Sequence, residues 1–157
     1  MRSTARRTRR GLQTALAAAG WSVSLVVSEA GRAWAVTQGN DDRPRPDVVV
    51  ACPLTFNTAN KIVSGIMDTP ATGALCDALG AELPVVAVPM LNTRLWAHPT
   101  WRITLATLRE WGVTLLDPAD GRLDAVRPVA SGTGSMIATA FDPQWIVDAV
   151  EPARSCG

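Results

Sequence analysis

The chain has 157 residues, of which 47% are hydrophobic and 18% are charged. This composition excludes intrinsic disorder and is typical of one globular domain, taken here as residues 1–157 with a core of about 7–150. The formal net charge of +1 gives no general attraction to nucleic acid or to an anionic membrane, and we expect neither as a partner. The longest apolar runs are too short to span a bilayer.

The first ten residues contain five arginines, which we interpret as the solvated start of a helix over 7–19 rather than as a targeting or nucleic-acid-binding arm. Residues 12–20 are too Ala-rich and polar for a secretory signal. Three cysteines without metal-ligand spacing predict reduced thiols and a cytoplasmic location. With a single histidine besides, we predict no metal site.

Helical spacing and punctuation by glycine and proline divide the rest of the chain into short elements. Apolar, β-branched runs predict strands over 21–28, 47–52, 84–89 and 113–116. Further helices are predicted over 30–36 (short), 59–67, 71–79, 98–111 and 143–150, and loops over 38–46, 53–58 and 132–136.

The predicted strands are apolar throughout and mostly alternate with helices. This pattern is typical of a parallel sheet with helices on both faces, so we predict an α/β, Rossmann or flavodoxin-like fold. Ligands of such sheets bind beyond the carboxyl ends of the strands. The informative segments are therefore Ser28 and residues 53–58 and 89–96, which follow the first three strands.

Three segments resemble one known family. Residues 51–65, ACPLTFNTANKIVSG, resemble a Pro-Ala-Ser-Ala-Asn-Thr flavin motif and its helix, residues 89–96, PMLNTRLW, resemble a Pro-x-Met-Asn-x-x-Met-Trp substrate motif, and residues 130–136, ASGTGSM, resemble a substrate clamp. The matching positions are Pro53, Asn57, Thr58, Lys61, Gly65, Asp68, Pro89, Asn92 and Trp96. On these motifs the chain resembles the flavoproteins of the homo-oligomeric flavin-containing cysteine decarboxylases, which include phosphopantothenoylcysteine decarboxylase.

The resemblance implies FMN as the cofactor. It implies contacts from Ser28 to the phosphate and from Thr55, Asn57 and Thr58 to the polar flavin edge and the ribityl chain. Short polar side chains at a turn that opens a helix suit these roles, because they form hydrogen bonds beside free backbone N–H groups. The alternative for each hydroxyl is an ordinary helix N-cap.

The resemblance also implies a small thiol-bearing carboxylate as substrate, with Asn92 holding the carboxylate and Ser131 in the clamp. A turn asparagine after a strand is the alternative for Asn92. Family members assemble as trimers or multiples of trimers, so a homo-oligomer is implied, with Leu91, Leu95 and Trp96 suited either to the interface or to the core.

The sequence departs from the family in three ways. It starts at the helix that normally follows the first strand, so that strand is expected to be missing or truncated. Residues 34–47 lack the histidine base of the oxidative decarboxylases, and Ser131 stands where the coenzyme A enzymes use a cysteine. His98 is interpreted as a helix-start or surface residue, which leaves the catalytic residues unassigned. The alternatives to a decarboxylase-like enzyme are a non-catalytic scaffold or regulatory subunit and a flavin prenyltransferase.

Overall fold

A computed structural model describes the backbone of residues 2–27, 32–38 and 46–156, with side chains over 10–23 and 46–154. Five strands form one sheet in the order β1-β2-β3-β4-β5, with bounds Trp21–Val27, Arg32–Gln38, Val48–Leu54, Val85–Pro89 and Thr114–Leu115. The helices are α1 (Arg2–Ala18), α2 (Phe56–Val63), α3 (Pro70–Gly80), α4 (Thr93–Trp96), α5 (Pro99–Glu110), α6 (Gly134–Ala140) and α7 (Gln144–Val150). A 3-10 helix over Glu151–Cys156 follows α7.

The sheet confirms the predicted α/β class, and three of the predicted strands pair in parallel as expected. β3, β4 and β5 are parallel neighbours, joined by helical crossovers. The sheet is nevertheless mixed, because β2 pairs antiparallel with both β1 and β3. An antiparallel margin on an otherwise parallel sheet is common in α/β folds.

The short helix predicted over 30–36 was wrong. Residues Arg32–Gln38 form β2, while residues 30 and 31 lie outside the described part of the chain. Trp34, Val36 and Thr37 favour a strand, and neighbours on both sides provide partners for the backbone. Tertiary pairing thus overrides the weak helical pattern of an Ala-containing segment.

Alternate residues of the central strands enter two cores, one on each face of the sheet. Val49, Ala51 and Ala87 pack beneath α2, α3 and α5. Val50 and Val88 pack on the opposite face with residues of α1 and α7. Helices therefore cover both faces, as predicted, and this explains why the strands read as continuous apolar runs.

The predicted element boundaries differ from the observed ones at two functionally informative places. α2 begins at Phe56, three residues before its predicted start, because Thr55 is its N-cap. The loop predicted over 132–136 is shorter, since α6 begins at Gly134. Both differences bring the polar motif residues into the first turn of a helix or into the turn just before one.

Candidate ligand site at the carboxyl edge of the sheet

The segments that follow β3 and β4 lie side by side, because these strands are parallel and stay paired to their carboxyl ends despite a shift in register between Ala51 and Leu54. Leu54 pairs with Pro89 at the strand ends, and the Met90 N–H donates to the Leu54 carbonyl at 3.1 Å. Thr55 follows Leu54 directly, and Asn92 is two residues beyond Met90. The two motifs found in the sequence therefore meet at one edge of the sheet.

Thr55 closes the first turn of α2. Its hydroxyl accepts a hydrogen bond from the Thr58 N–H at 3.3 Å and donates one to the Thr58 hydroxyl at 3.0 Å. Thr58 is buried, and its hydroxyl oxygen accepts the hydrogen bond from Thr55. Thr55 is thus an N-cap, which was the alternative to a flavin contact in the sequence analysis.

Asn57 differs from the two threonines. It is exposed on the first turn of α2, and its carboxamide forms no hydrogen bond within the described residues. The first turn of α2 carries no acidic residue, so its free N–H groups and helix dipole favour a negative or electron-rich group. Asn57 is the side chain of this turn best placed to contact a ligand.

Asn92 is the N-cap of α4. Its Oδ1 accepts from the Leu95 N–H at 3.0 Å, and the residue is exposed. An N-cap uses only the carbonyl of the carboxamide, which leaves the Nδ2 group able to donate. The turn role and the ligand-binding role of Asn92 are therefore compatible.

Ser131 is brought to the same edge by a second pairing. Asn92 forms a parallel bridge with Val129, whose N–H donates to the Leu91 carbonyl at 2.8 Å. The chain then turns through Ser131 and Gly132, closed by the Thr133 N–H donating to the Ala130 carbonyl at 3.1 Å. Ser131 is exposed on this turn, and Gly132 has a φ of +85° that favours glycine.

An ion pair between the buried Asp117 and the half-exposed Arg127 supports the segment that leads to Ser131, and sequence reasoning missed it. Asp117 is 1% exposed, and Arg127 reaches it with Nε at 3.1 Å and Nη2 at 3.2 Å. Arg127 also contacts Asp120 at 2.6 Å. The hydrogen bond with Asp117 and the charges of Asp117 and Asp120 raise the pKa of Arg127. The two residues are ten positions apart, in a segment for which the sequence predicted no element, so no local pattern indicated the pair.

An aromatic cluster borders α2 next to Thr55. The ring of Phe56 lies edge-on to His98, with centroids 5.3 Å apart, and 6.4 Å from the ring of Trp101, which is buried. Trp96 packs on Trp101 at 5.5 Å. His98 is the N-cap of α5, where its Nδ1 accepts from the Thr100 N–H at 3.2 Å, so the helix-start interpretation is confirmed.

The other residues singled out in the sequence divide between buried, half-buried and undescribed positions. Leu91 belongs to the core, whereas Leu95 is 37% exposed. Cys52 is buried, whereas Cys76 is half-buried and lines a cleft. Ser28 lies outside the described residues, so its phosphate role stays a prediction.

Neither a metal cluster nor a membrane-spanning helix occurs in the parts of the chain that the structure covers. Across these parts, no three His, Cys, Asp or Glu side chains gather in a way that would hold a metal ion. None of the helices described is both long and apolar enough to cross a bilayer.

Comparison with known proteins identifies relatives of this chain. The sequence model of the family described as Flavoprotein matches residues 10–150. The coenzyme A biosynthesis bifunctional protein CoaBC of Mycolicibacterium smegmatis is 39% identical over 77 residues, which are 49% of this chain and 18% of that protein. Phosphopantothenoylcysteine decarboxylase of Arabidopsis thaliana is 36% identical over 77 residues, 49% of this chain and 36% of the enzyme. The matches thus span well under half the length of these relatives.

Two solved structures share the fold. The FMN-binding protein AtHal3 superposes with a TM-score of 0.51 at 28% identity, over 71% of this chain and 56% of that chain. A cysteine-to-serine mutant of PPC decarboxylase superposes with a TM-score of 0.50 at 26% identity, over 71% and 55%. The first of these proteins binds FMN, and the second is a decarboxylase.

Proposed function

Since the chain belongs to the Flavoprotein family and is related to the phosphopantothenoylcysteine decarboxylases, we propose that it binds FMN and acts on a small thiol-bearing carboxylate. The observation that best supports this proposal is that the first turn of α2, the Asn92 turn and the Ser131 turn converge at one edge of the sheet. These turns present amides, hydroxyls and helix N–H groups, which match the polar edge of a flavin and a carboxylate.

The cofactor half of the proposal assigns α2 to the flavin. The free Asn57 carboxamide and the acid-free first turn suit the electron-rich ring edge or the ribityl hydroxyls. Thr55 and Thr58 hold this turn through their mutual hydrogen bonds. When bound, FMN would supply an acceptor for two electrons from the substrate thiol.

The substrate half of the proposal assigns the carboxylate to Asn92. Its Nδ2 group donates to the carboxylate while its Oδ1 keeps the α4 cap. The Asn92–Val129 bridge brings the turn that contains Ser131 beside Asn92, where Ser131 would contact the same substrate. A neutral donor holds the carboxylate without titrating, so carboxylate binding by Asn92 is independent of pH near neutrality.

A second function, a flavoprotein scaffold without turnover, is favoured by the chemistry of the same edge. The assigned side chains are amides and hydroxyls, none of which exchanges protons readily near neutral pH. His98, the one histidine in the chain, uses its Nδ1 to cap α5. Flavin binding without decarboxylation would identify this scaffold function.

The self-association implied by the family is also part of the proposal. Leu95 on α4 and Ile103 on the neighbouring helix α5 are 37% and 64% exposed. Burial of such side chains against a second copy would be favourable. Sedimentation equilibrium is expected to give a trimer or a multiple of three, and a monomer at all concentrations would contradict it.

The first experiment is the visible absorption spectrum of the purified chain, followed by chromatography of the pigment that denaturation releases. FMN is the expected pigment. Anaerobic addition of a peptide ending in cysteine, or of pantothenoylcysteine, should then bleach the flavin band and release carbon dioxide. Bound FMN without bleaching or carbon dioxide would support the scaffold. A chain that takes up no FMN, even when reconstituted, would contradict both functions.

The Asn92 assignment has a matched variant. Asn92→Asp keeps a good N-cap acceptor for α4 but places a negative charge beside the substrate carboxylate. Flavin affinity is expected to stay unchanged, while substrate affinity falls by roughly tenfold or more through repulsion between like charges. A substrate analogue with a carboxamide in place of the carboxylate should bind both forms equally. If Asn92→Asp reduced the affinity for the carboxylate substrate and for the carboxamide analogue equally, a contact between Asn92 and the carboxylate would be contradicted.

A further inference from the structure

A cavity of about 340 Å³ lies where α4 meets the start of α5. Small-molecule sites in proteins usually have volumes of about 300–1,000 Å³, so this cavity is large enough for a small ligand. The residues that form its wall include Trp96, His98, Pro99, Trp101, Arg102 and Leu105. Neither Asn57 nor Asn92 lines the cavity, so it is distinct from the carboxyl-edge site proposed for the flavin and the substrate carboxylate.

The wall carries hydrogen-bond donors that have no acceptor among the described residues. Trp101 is 1% exposed, and its buried Nε1–H group has no partner there. The guanidinium group of Arg102 is exposed and likewise forms no hydrogen bond or ion pair with the described part of the chain. The Nδ1 atom of His98 accepts from the Thr100 N–H, so the imidazole proton is on Nε2, which can donate. A wall of this kind favours a ligand with acceptor oxygens.

The charges around the cavity are positive. Residues 83–109 contain three arginines but no aspartate or glutamate. Arg109 is paired with Asp124 at 2.7 Å, whereas Arg94 and Arg102 have no ion pair within the residues that the structure describes. The first turn of α5 has no acidic residue, and the helix dipole places partial positive charge at this end. The cavity therefore attracts an anion, and no carboxylate in its lining opposes one.

The rest of the wall is aromatic and aliphatic. The rings of Trp96 and Trp101 are inclined at 54° with their centroids 5.5 Å apart, and Trp96 is only half-buried. Pro99 and Leu105 add apolar surface. Aromatic side chains pack favourably against a further ring in tilted or offset arrangements. A guanidinium group such as that of Arg102 can bind a planar carboxylate through two parallel hydrogen bonds. The lining thus offers a surface for a ring and a group for a carboxylate.

We propose that this cavity binds a small aromatic carboxylate. The ring packs on Trp96 and Leu105, and the carboxylate accepts hydrogen bonds from Arg102 and from the Nε2 of His98. The surface proposed for self-association does not need this wall at Ile103, because Ile103 lies on the opposite side of α5 from Leu105. Binding at the cavity does not depend on bound flavin.

The test uses three probes of similar size, namely phenylacetate, phenylacetamide and cyclohexylacetate, titrated into the full chain by calorimetry. Phenylacetate is expected to bind best. Phenylacetamide lacks the charge that Arg102 recognises, and cyclohexylacetate lacks the flat ring, so each should bind roughly fivefold or more weakly. Equal affinity for phenylacetate and phenylacetamide would overturn the proposal, and so would equal affinity for phenylacetate and cyclohexylacetate.

Two arginine variants locate the charge that is recognised. Arg102→Gln should lower the affinity for phenylacetate roughly fivefold or more and leave that for phenylacetamide unchanged. Arg94→Gln makes the same change of charge at a nearby residue that does not line the cavity, and it should alter the affinity less than roughly twofold. Neither arginine has an ion pair within the described residues, so both variants should fold like the parent. Equal losses in the two variants would assign the binding to general surface charge and overturn the site.

The indole N–H signals in a nuclear magnetic resonance spectrum give a second measure of location. The Trp96 signal, identified by its absence in Trp96→Phe, should shift as phenylacetate is added. The signal of Trp111, the C-cap at the other end of α5, should stay in place. A shift of Trp111 without one of Trp96 would overturn the location. Displacement of phenylacetate by FMN would overturn a separate site, whereas FMN binding without any phenylacetate binding would overturn this proposal alone.

Discussion

The hydroxyl of Thr104, buried in the middle of α5, donates a 2.5 Å hydrogen bond to the Oδ1 of Asn60 on α2. The Asn60 Nδ2 group in turn donates to the Phe56 carbonyl at 2.8 Å, in the first turn of α2. Phe56 also contacts His98 at the start of α5. The two helices therefore run side by side with their N-termini together, and this polar chain sets where the Asn57 turn lies.

Thr104→Val is expected to weaken this link. Valine keeps the shape of threonine but leaves the Asn60 oxygen without its donor, which should lower the free energy of unfolding by about 1–2 kcal/mol. Thr107→Val is the matched control, because the Thr107 hydroxyl bonds only to Ile103 of its own helix, and it should change stability by less than about 0.5 kcal/mol. Urea unfolding measures both. Equal values for the two variants would show that the α2–α5 hydrogen bond adds nothing.

Thr55→Ala is expected to affect both stability and flavin binding. It removes the N-cap of α2, at a cost of about 1 kcal/mol, and frees the buried Thr58 hydroxyl from its partner. Thr55→Ser keeps the capping oxygen and is the control. Thermal unfolding measures stability, and FMN titration of the apoprotein measures affinity. If both variants bind FMN like the parent while only alanine lowers the melting temperature, Thr55 has a capping role alone.

The fold and the position of the site were largely predictable, because they depend on local patterns. Apolar runs followed by polar turns identified β3 and β4, and the carboxyl-edge rule was enough to place residues near Thr55 and Asn92 together. Helix N-caps such as Thr55 and His98 are also local features. These predictions required only the order of the chain and the parallel pairing.

What could not be predicted depends on partners that are distant in sequence. Nothing near Arg32–Gln38 shows that this segment will pair with both β1 and β3 and become a strand. The Asp117–Arg127 pair and the Asn92–Val129 bridge likewise connect residues whose proximity only the folded chain creates. The sequence placed Ser131 in a clamp by resemblance, whereas the bridge is the physical reason why it lies near Asn92.

Arg127→Met should destabilise the loop that leads to Ser131. It removes the guanidinium from Asp117, which is 1% exposed and keeps only backbone partners such as the Ala119 N–H. Because Arg127 itself is half exposed, we expect a loss of about 1–3 kcal/mol, below the cost of breaking an ion pair in which both partners are buried. Arg122→Met, which loses a pair with the exposed Asp120, is the control and should cost under about 1 kcal/mol. Similar losses of stability in both variants would mean that the burial of Asp117 does not increase the cost of removing its partner.

Asp120 is expected to contribute to the acid sensitivity of the fold. Burial alone would raise its pKa, but hydrogen bonds from Arg122 and the charges of Arg122 and Arg127 lower the pKa below its ordinary value of 3.8. A carboxyl whose pKa is lower in the folded state adds stability above pH 3.8, and that stability is lost as the pH falls through the folded pKa. Asp120→Asn should therefore flatten the dependence of the melting temperature on pH below about pH 4. An unchanged slope in this range would contradict the contribution.

Gly121→Ala tests a close approach between a turn and a helix. A Cβ atom at Gly121 would overlap the indole ring of Trp145 on α7, and the φ of +72° is itself unfavourable for alanine. Trp145 packs edge-on against Phe141 at 5.4 Å, so the indole ring cannot move away without disturbing that contact. We expect a loss of about 2–4 kcal/mol, combining backbone strain and overpacking. Gly134→Ala, at an unstrained helical position with open space, should be neutral or slightly stabilising. Gly121 lies in the loop that Arg127 holds, so the losses in stability from Gly121→Ala and Arg127→Met should combine non-additively. Urea unfolding of the double variant measures this. Simple addition of the two losses would show that the two contacts stabilise separate parts of the chain.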